Sequence, residues 1–183
     1  MSELRTNKIY PRDGRPSGAS GGGIIQVVSI TKTDTESLTS DATPALIPGM
    51  VATIIPQSAS NKILVMVTLS ALVGASYGGQ YAVLRRGSTD IAVGDAAGSR
   101  NRASISLQAP LFYDDNTSNN YGPGQASINH LDSPGTTSAV TYGLYHADVA
   151  TSNELYINRS LNDSDSNSYN RVTSSITLME ISG

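Results

Sequence analysis

The stretch NKILVMVTLSALVG, Asn61–Gly74, constrains the fold more than any other part of the chain. Read at period two, Ile63, Val65, Val67, Leu69, Ala71 and Val73 share one face. Leu64, Met66, Thr68, Ser70 and Leu72 share the other, which begins apolar and turns mixed. A strand apolar on one face and partly apolar on the other belongs inside a sheet, covered on both sides. Its Ile and Val content and Gly-containing flanks favour strand over helix. At about 14 residues it is short of the ~20 that a membrane-spanning helix needs. It is therefore expected to be the inner strand of a β-sandwich, with its second face a candidate contact for another subunit.

A chain of 183 residues can bury roughly two-thirds of its unfolded surface, so a core needs no covalent staples. There is no cysteine, hence neither disulfide nor thiolate metal site. The opening MSELRTNKIYPRDG lacks the apolar core of a secretory signal, which leads to the expectation of a protein made without that export route and not inserted in a membrane. Charged residues make up 15% and the net charge is −3, which argues against nucleic acid or an anionic membrane as partner.

Along the chain, residues 1–23 read as an extended anchor or linker: Pro11, Pro16 and the run Gly18–Gly23 interrupt helix and ladder alike. Residues 24–183 read as the head domain. IIQVVSITKT is a first strand. SLTSDATPALIPG is a turn-rich connection in which Pro44 and Pro48 confine any strand to an edge. MVATIIPQ is a second strand, leading into the inner one. QYAVLRR and TDIAVG predict a hairpin around Gly87-Ser88. RASISLQAP alternates, with Ala103, Ile105, Leu107 and Ala109 inward. ASINHLD and AVTYGLYHA predict a second hairpin turning at Pro134-Gly135. ELYINRS and SSITLMEIS complete the set, the last with Ile176 and Leu178 on one face and Met179 and Ile181 on the other. Eight to ten short strands with no helix mean an all-β, antiparallel sandwich or jelly roll.

NKIYPRDG, GASGGGIIQVVS, PQSASNKILVMV, LRRGSTDIA, SAVTYGLYHA and the terminal SITLMEIS together resemble the receptor-binding domains of tail fibres from cyanophages and other marine phages. The resemblance covers nearly the whole chain, and its most specific parts are the RGST hairpin and the SNKILVMV strand. It implies a jelly-roll head like those of C1q and tumour necrosis factor, assembled as a homotrimer on a virion after synthesis in the host cytoplasm. Long fibres have shafts of hundreds of residues, whereas about twenty precede the head here. A short fibre or knob is therefore expected, docked onto another virion or tail protein through its N-terminal segment, with Ile9, Tyr10, Pro11 and Arg12 as candidate docking residues. A structural virion protein of the same fold, a capsid decoration or tail adaptor without receptor binding, is the alternative.

The residues offer no convincing enzyme. Gly18–Gly22 matches G-x-S-x-G but lacks the strand and helix that a nucleophile elbow requires. His130 and His146, on the two arms of one expected hairpin, could approach each other or gather on a threefold axis around a metal, but imidazoles packed or hydrated on a sheet face are the expectation. Asp163, Asp165 and Asn167 begin like a calcium loop, yet Ser168 and Ser174 stand where Gly and Glu are needed. Asp114 and Asp115 are adjacent on a loop, which sets no defined carboxylate separation for a glycosidase. The sequons at Asn116, Asn158 and Asn162 matter only in a eukaryotic secretory route. The reading therefore names no catalytic residue, metal or cofactor. It favours two polar loops with aromatics: Tyr113, Asp114, Asn116, Asn119, Asn120 and Tyr121 in the first, and Asp165, Asn167 and Tyr169 in the second. Tyrosine offers a flat amphipathic face, and Asn and Asp offer adaptable hydrogen bonds, a chemistry suited to a host-surface glycan.

Overall fold

A computed structural model describes residues 23–39, 41–74, 79–107, 122–149 and 154–183. The strands are β1 (Ile24–Lys32), β2 (Glu36–Thr39), β3 (Ala45–Ile54), β4 (Lys62–Val73), β5 (Gln80–Arg86), β6 (Thr89–Ile91), β7 (Ile105–Ser106), β8 (Gly124–Asp132), β9 (Val140–Asp148), β10 (Glu154–Ile157) and β11 (Ser174–Ile181). Every pairing is antiparallel, and the described residues contain no helix. The fold is all-β.

The period-two pattern of Asn61–Gly74 becomes β4, at the centre of a six-stranded sheet. On one edge β8 pairs with it along Ile63–Ala71. On the other, β11 pairs along Lys62–Thr68 and β10 along Ala71–Val73. β1 extends the sheet beyond β11, and β2 beyond β10. The second, five-stranded sheet runs β3-β9-β5-β6, with β7 also on β5.

Ile63, Val65, Val67, Leu69, Ala71 and Val73 all point into the core that joins the sheets, each 2% exposed or less. There they meet Ile47, Met50, Ile54, Ala82, Leu84, Tyr142 and Leu144 of the second sheet. Burying such a side chain is worth about 1.5–3 kcal/mol, so this alternation drives the pairing of the two layers. Ile176 and Leu178 of β11 add to the same core, as their spacing predicts.

Register defines two ends of the sandwich. At the near end, Ile24 lies opposite Ile181 and Ile181 opposite Lys62, and Ser182 N–H donates to Gly23 O. At the far end, Val73 lies opposite Leu155, Ala71 opposite Gly124, and Gln80 opposite Asp148. The length of β4, at ~3.3 Å per residue, separates them by roughly 35–40 Å.

Three expectations are corrected. ASINHLD and AVTYGLYHA do not form a hairpin: β8 pairs with β4 in one sheet, and β9 lies between β3 and β5 in the other. Residues 133–139 thus cross between layers, because both strands bury apolar faces in the same core from opposite sides. The connection expected over residues 37–49 holds β2 and the start of β3. Pro48 is tolerated because β3 is an edge strand whose register shifts between Leu46 and Val51, with Gly49 at φ +78° in the irregular stretch. Of the described part of RASISLQAP, residues 102–107, only Ile105–Ser106 is strand, though the alternation survives: Ile105 and Leu107 are buried and Ser106 is exposed. The β5–β6 hairpin turns at Gly87-Ser88 as expected, with Gly87 at φ +57°.

Polar groups inside the sandwich are tied down. Glu180, near the end of β11, has no solvent exposure. It accepts from Asn61 Nδ2 at 2.5 Å, Gln57 N–H at 2.7 Å and Gln26 Nε2 at 2.5 Å. Burial pushes its carboxyl upward, but these bonds outweigh that and hold it below its ordinary value. Arg86 and Tyr142, both on the second sheet, donate to Asp132 on the first.

Candidate functional site

The first polar loop, with Tyr113, Asp114, Asn116, Asn119, Asn120 and Tyr121, and the docking candidates Ile9, Tyr10, Pro11 and Arg12 lie outside the described residues, as do Asp115 and the Gly18–Gly22 match. The flanks of that loop are nevertheless placed. Ser106 pairs with Tyr81 and Gly124 with Ala71, both at the far end. The described chain begins at Gly23, at the near end.

The second polar loop does not leave from an end of the sandwich. β10 stops opposite Ala71 and β11 starts opposite Thr68, so residues 158–173 leave the sheet at the level of Ser70. Ser70 ties both stems: its carbonyl accepts from Asn158 N–H at 3.0 Å and its Oγ donates to Thr173 O at 2.8 Å. The sequon residue Asn158 is fully buried at φ +60°, donating to Lys32 O and Asp34 O, so its role is to lock the loop stem. Beyond it, Asp163 pairs with Arg171 at 2.5 Å, and Asn162 Nδ2 donates to Tyr169 Oη at 2.9 Å. Asp165 and Tyr169 line a cleft of about 240 Å³ there, while Asn167 is exposed. The ion pair occupies the carboxylate that opens the calcium-like pattern, and no cluster of three potential metal ligands exists among the described residues.

His130 and His146 are held apart. His130 stands opposite Val65 on the first sheet, and His146 opposite Ala82 on the second. His146 is buried with Nε2 3.0 Å from Gln80 Oε1, a contact suited to the Nε2–H tautomer. Burial lowers its pKa to about 4 against the opposing pull of Asp148, so the ring is neutral at pH 7.

The outer face of the β4 sheet carries a row of apolar side chains. Val27 of β1 stands opposite Met179 of β11, Met179 opposite Leu64 of β4, and Leu64 opposite Leu131 of β8. Val27 is 53% exposed and Leu131 50%. Ile24 and Ile181 flank the row on the near-end side and Met66 on the other. Farther along, Ser29, Thr177, Asn129, Thr31, Ser175, Thr68 and Ser127 make the face polar. The far-end part of the face is covered by the chain itself. Tyr156, opposite Leu72, donates to the Glu154 carboxylate and lies under the Arg159 guanidinium at 4.3 Å. Burial, then the Glu154 bond, push its phenol up to about 12. The outer-face side chains of β4 therefore divide by position: Leu72 is buried and Met66 is exposed.

A second cleft, of about 380 Å³, opens at the far end of the other sheet. The start of β5 supplies Gln80 and Tyr81, the β6–β7 connection supplies Arg100 and Asn101, and Ser106 and Val149 lie along it. Arg100 Nη1 donates to Ala97 O at 3.3 Å. Tyr81 is half-buried, and burial, then the Asp90 charge, push its phenol above its ordinary value. The sequence reading places none of these residues in a site, because they converge from segments far apart in the chain and carry no local spacing. Glu180 did leave a signal, as the lone charge in an apolar terminal strand.

Comparison of the chain with protein-family models and with curated proteins finds no match.

Proposed function

We propose that the chain is a short phage fibre or knob, a homotrimeric adhesin that docks on the virion through its N-terminal segment and attaches to the host surface by binding a glycan. The observation that carries this reading is the polarity of the β4 sheet. Its uncovered apolar row lies at the end where Gly23 leads back to residues 1–22, and the connection that holds Tyr113–Tyr121 leaves from the opposite end. Copies packed through that row bring their Gly23 ends together at one pole and the stems of their far-end connections at the other.

An exposed row of Ile, Val, Leu and Met that continues from strand to strand is the surface that a closed oligomer covers. The strand orders support the jelly-roll head. β1-β11-β4-β8 lies in one layer and β3-β9-β5-β6 in the other, with β8 to β9 crossing between them. Loops at the end of a rigid sandwich suit recognition, since the scaffold fixes their stems.

Light scattering on the purified full chain, and on a chain starting at Gly23, tests the assembly. The expected mass is three times that of one chain in both, about three times 19.1 kDa for the full chain and correspondingly less for the shorter one. Monomers in both would overturn the trimeric head. Adsorption of the fluorescently labelled chain to a panel of marine cyanobacterial and heterotrophic bacterial strains, with and without periodate oxidation of their glycans, tests attachment. Adsorption to some strains and its loss after periodate are expected; adsorption to none overturns the adhesin.

A further inference from the structure

Resting on that attachment reading, we propose that the far-end cleft between β5 and the β6–β7 connection binds a carboxylate-bearing sugar, a uronic acid unit of an acidic polysaccharide. Arg85 is paired with Asp90, Arg86 with Asp132 and Arg171 with Asp163, while Arg159 lies over Tyr156 and donates to Ser37 Oγ. Arg100 and Arg102 have no carboxylate partner in the described ion pairs; Arg102 donates to the Gly94 carbonyl, whereas Arg100, which donates to the Ala97 carbonyl, lines the cleft. A guanidinium has five N–H donors in a planar fork, of which the Ala97 bond uses one, so the rest can match a carboxylate two oxygens at a time. Among the described residues, no acidic side chain lines this cleft. Asp148, opposite Gln80 in the ladder, is fully buried and is not among the described residues lining the cleft.

The remaining walls suit a sugar ring. Tyr81 offers an aromatic face and a protonated hydroxyl, and Asn101 and Ser106 are exposed, with amide and hydroxyl groups for sugar hydroxyls. Gln80 is committed elsewhere, to His146 and the Glu154 carbonyl, and so forms fixed wall. The volume of about 380 Å³ falls in the range of small-molecule sites, ~300–1,000 Å³. The cleft lies at the end of the sandwich opposite Gly23, where a docked particle would present it outward.

The test is an NMR titration of the ¹⁵N-labelled full chain with methyl β-D-glucuronide, and separately with methyl β-D-glucoside. The glucuronide is expected to shift the Tyr81, Asn101 and Ser106 amides with millimolar affinity, weakening as NaCl is raised. The glucoside, and the glucuronide on Arg100→Gln, are each expected to bind at least ~10-fold more weakly, the loss of a charge-assisted hydrogen bond. An unchanged Arg100→Gln spectrum away from the cleft shows that the variant is folded. Equal binding of both sugars, shifts elsewhere than the cleft, or full affinity in Arg100→Gln overturns the proposal. The adsorption assay separates the two readings. Strain adsorption without glucuronide binding overturns the cleft and leaves the adhesin; glucuronide binding with adsorption to no strain leaves the cleft and overturns the adhesin.

Discussion

Arg86 of β5 and Asp132 of β8 stand on different sheets, and Arg86 Nη1 lies 2.9 Å from each oxygen of the Asp132 carboxylate. Tyr142 Oη donates to the same carboxylate at 2.7 Å, and Arg86 also reaches Ser133 O at 3.4 Å. The chain crosses from one sheet to the other directly after Asp132, so this cluster pins the crossing. Asp132→Ala leaves the fully buried Tyr142 hydroxyl without its acceptor and is expected to cost about 2–3 kcal/mol. Arg86 is partly exposed and rehydrates, which keeps the cost below that of a fully buried pair. Urea unfolding measures it, and a change under ~0.5 kcal/mol would contradict the role.

Glu180 makes stability depend on acid. Its folded pKa lies below the ordinary 4.5, so the unfolded chain takes up the proton first as pH falls. The stabilisation is complete above about pH 4.5 and is lost as the pH drops through the folded value. Glu180→Gln is expected to lower stability by about 1–3 kcal/mol at pH 7, with the gap to the parent chain narrowing below pH 4. A gap of constant size from pH 7 to pH 3 contradicts this account.

His146 acts in a different window. Its folded pKa of about 4 lies below the ordinary 6.5, so between those values the unfolded state binds the extra proton. Stability is expected to fall as pH drops from 6.5 to 4, by up to roughly 3 kcal/mol. The ring resonances of His146 in a ¹H NMR titration should stay at their neutral positions down to about pH 5. Titration of that ring near 6.5 refutes the assignment.

The apolar outer row should govern assembly and contribute little to the fold of one chain. If the chain assembles as proposed, Val27→Glu with Leu131→Glu is expected to turn the proposed trimer into a monomer by light scattering, while unfolding of the isolated head shifts by under ~1 kcal/mol. A trimer that survives both charges would place the contact elsewhere.

The two faces of β4 should differ in energy. Leu69→Ala, at a fully buried position, is expected to cost about 2–5 kcal/mol through lost transfer energy and a cavity. Met66→Ala, at a position 39% exposed, should cost under ~1 kcal/mol in the monomer. Similar costs at both positions would contradict the assignment of inner and outer faces.

Local pattern determined a good deal of this protein. The alternation from Ile63 to Val73, the spacing of Ile176 and Leu178, and Gly87-Ser88 between two short strands were each legible, because a strand's two faces and a tight turn depend on residues adjacent in the chain. Pro44 and Pro48 correctly restricted their neighbourhood to a sheet edge, since a missing N–H is a property of the residue itself. The assignment of strands to sheets was not legible. Residues 126–132 and 139–147 read as hairpin arms, and whether two such arms pair or face each other across a core is set by which other strands compete for their edges. The candidate sites divide in the same way. The polar loop around Tyr169 could be picked out by composition, whereas the pairing of Asp163 with Arg171 came from the folded loop. The cleft of Tyr81 and Arg100, the carboxylate cage around Glu180 and the continuous row from Val27 to Leu131 exist only once distant segments are brought side by side. Sequence by itself determined which residues seek water and which avoid it; tertiary structure decided which of them meet, because register and layer crossing depend on contacts made by the whole chain at once.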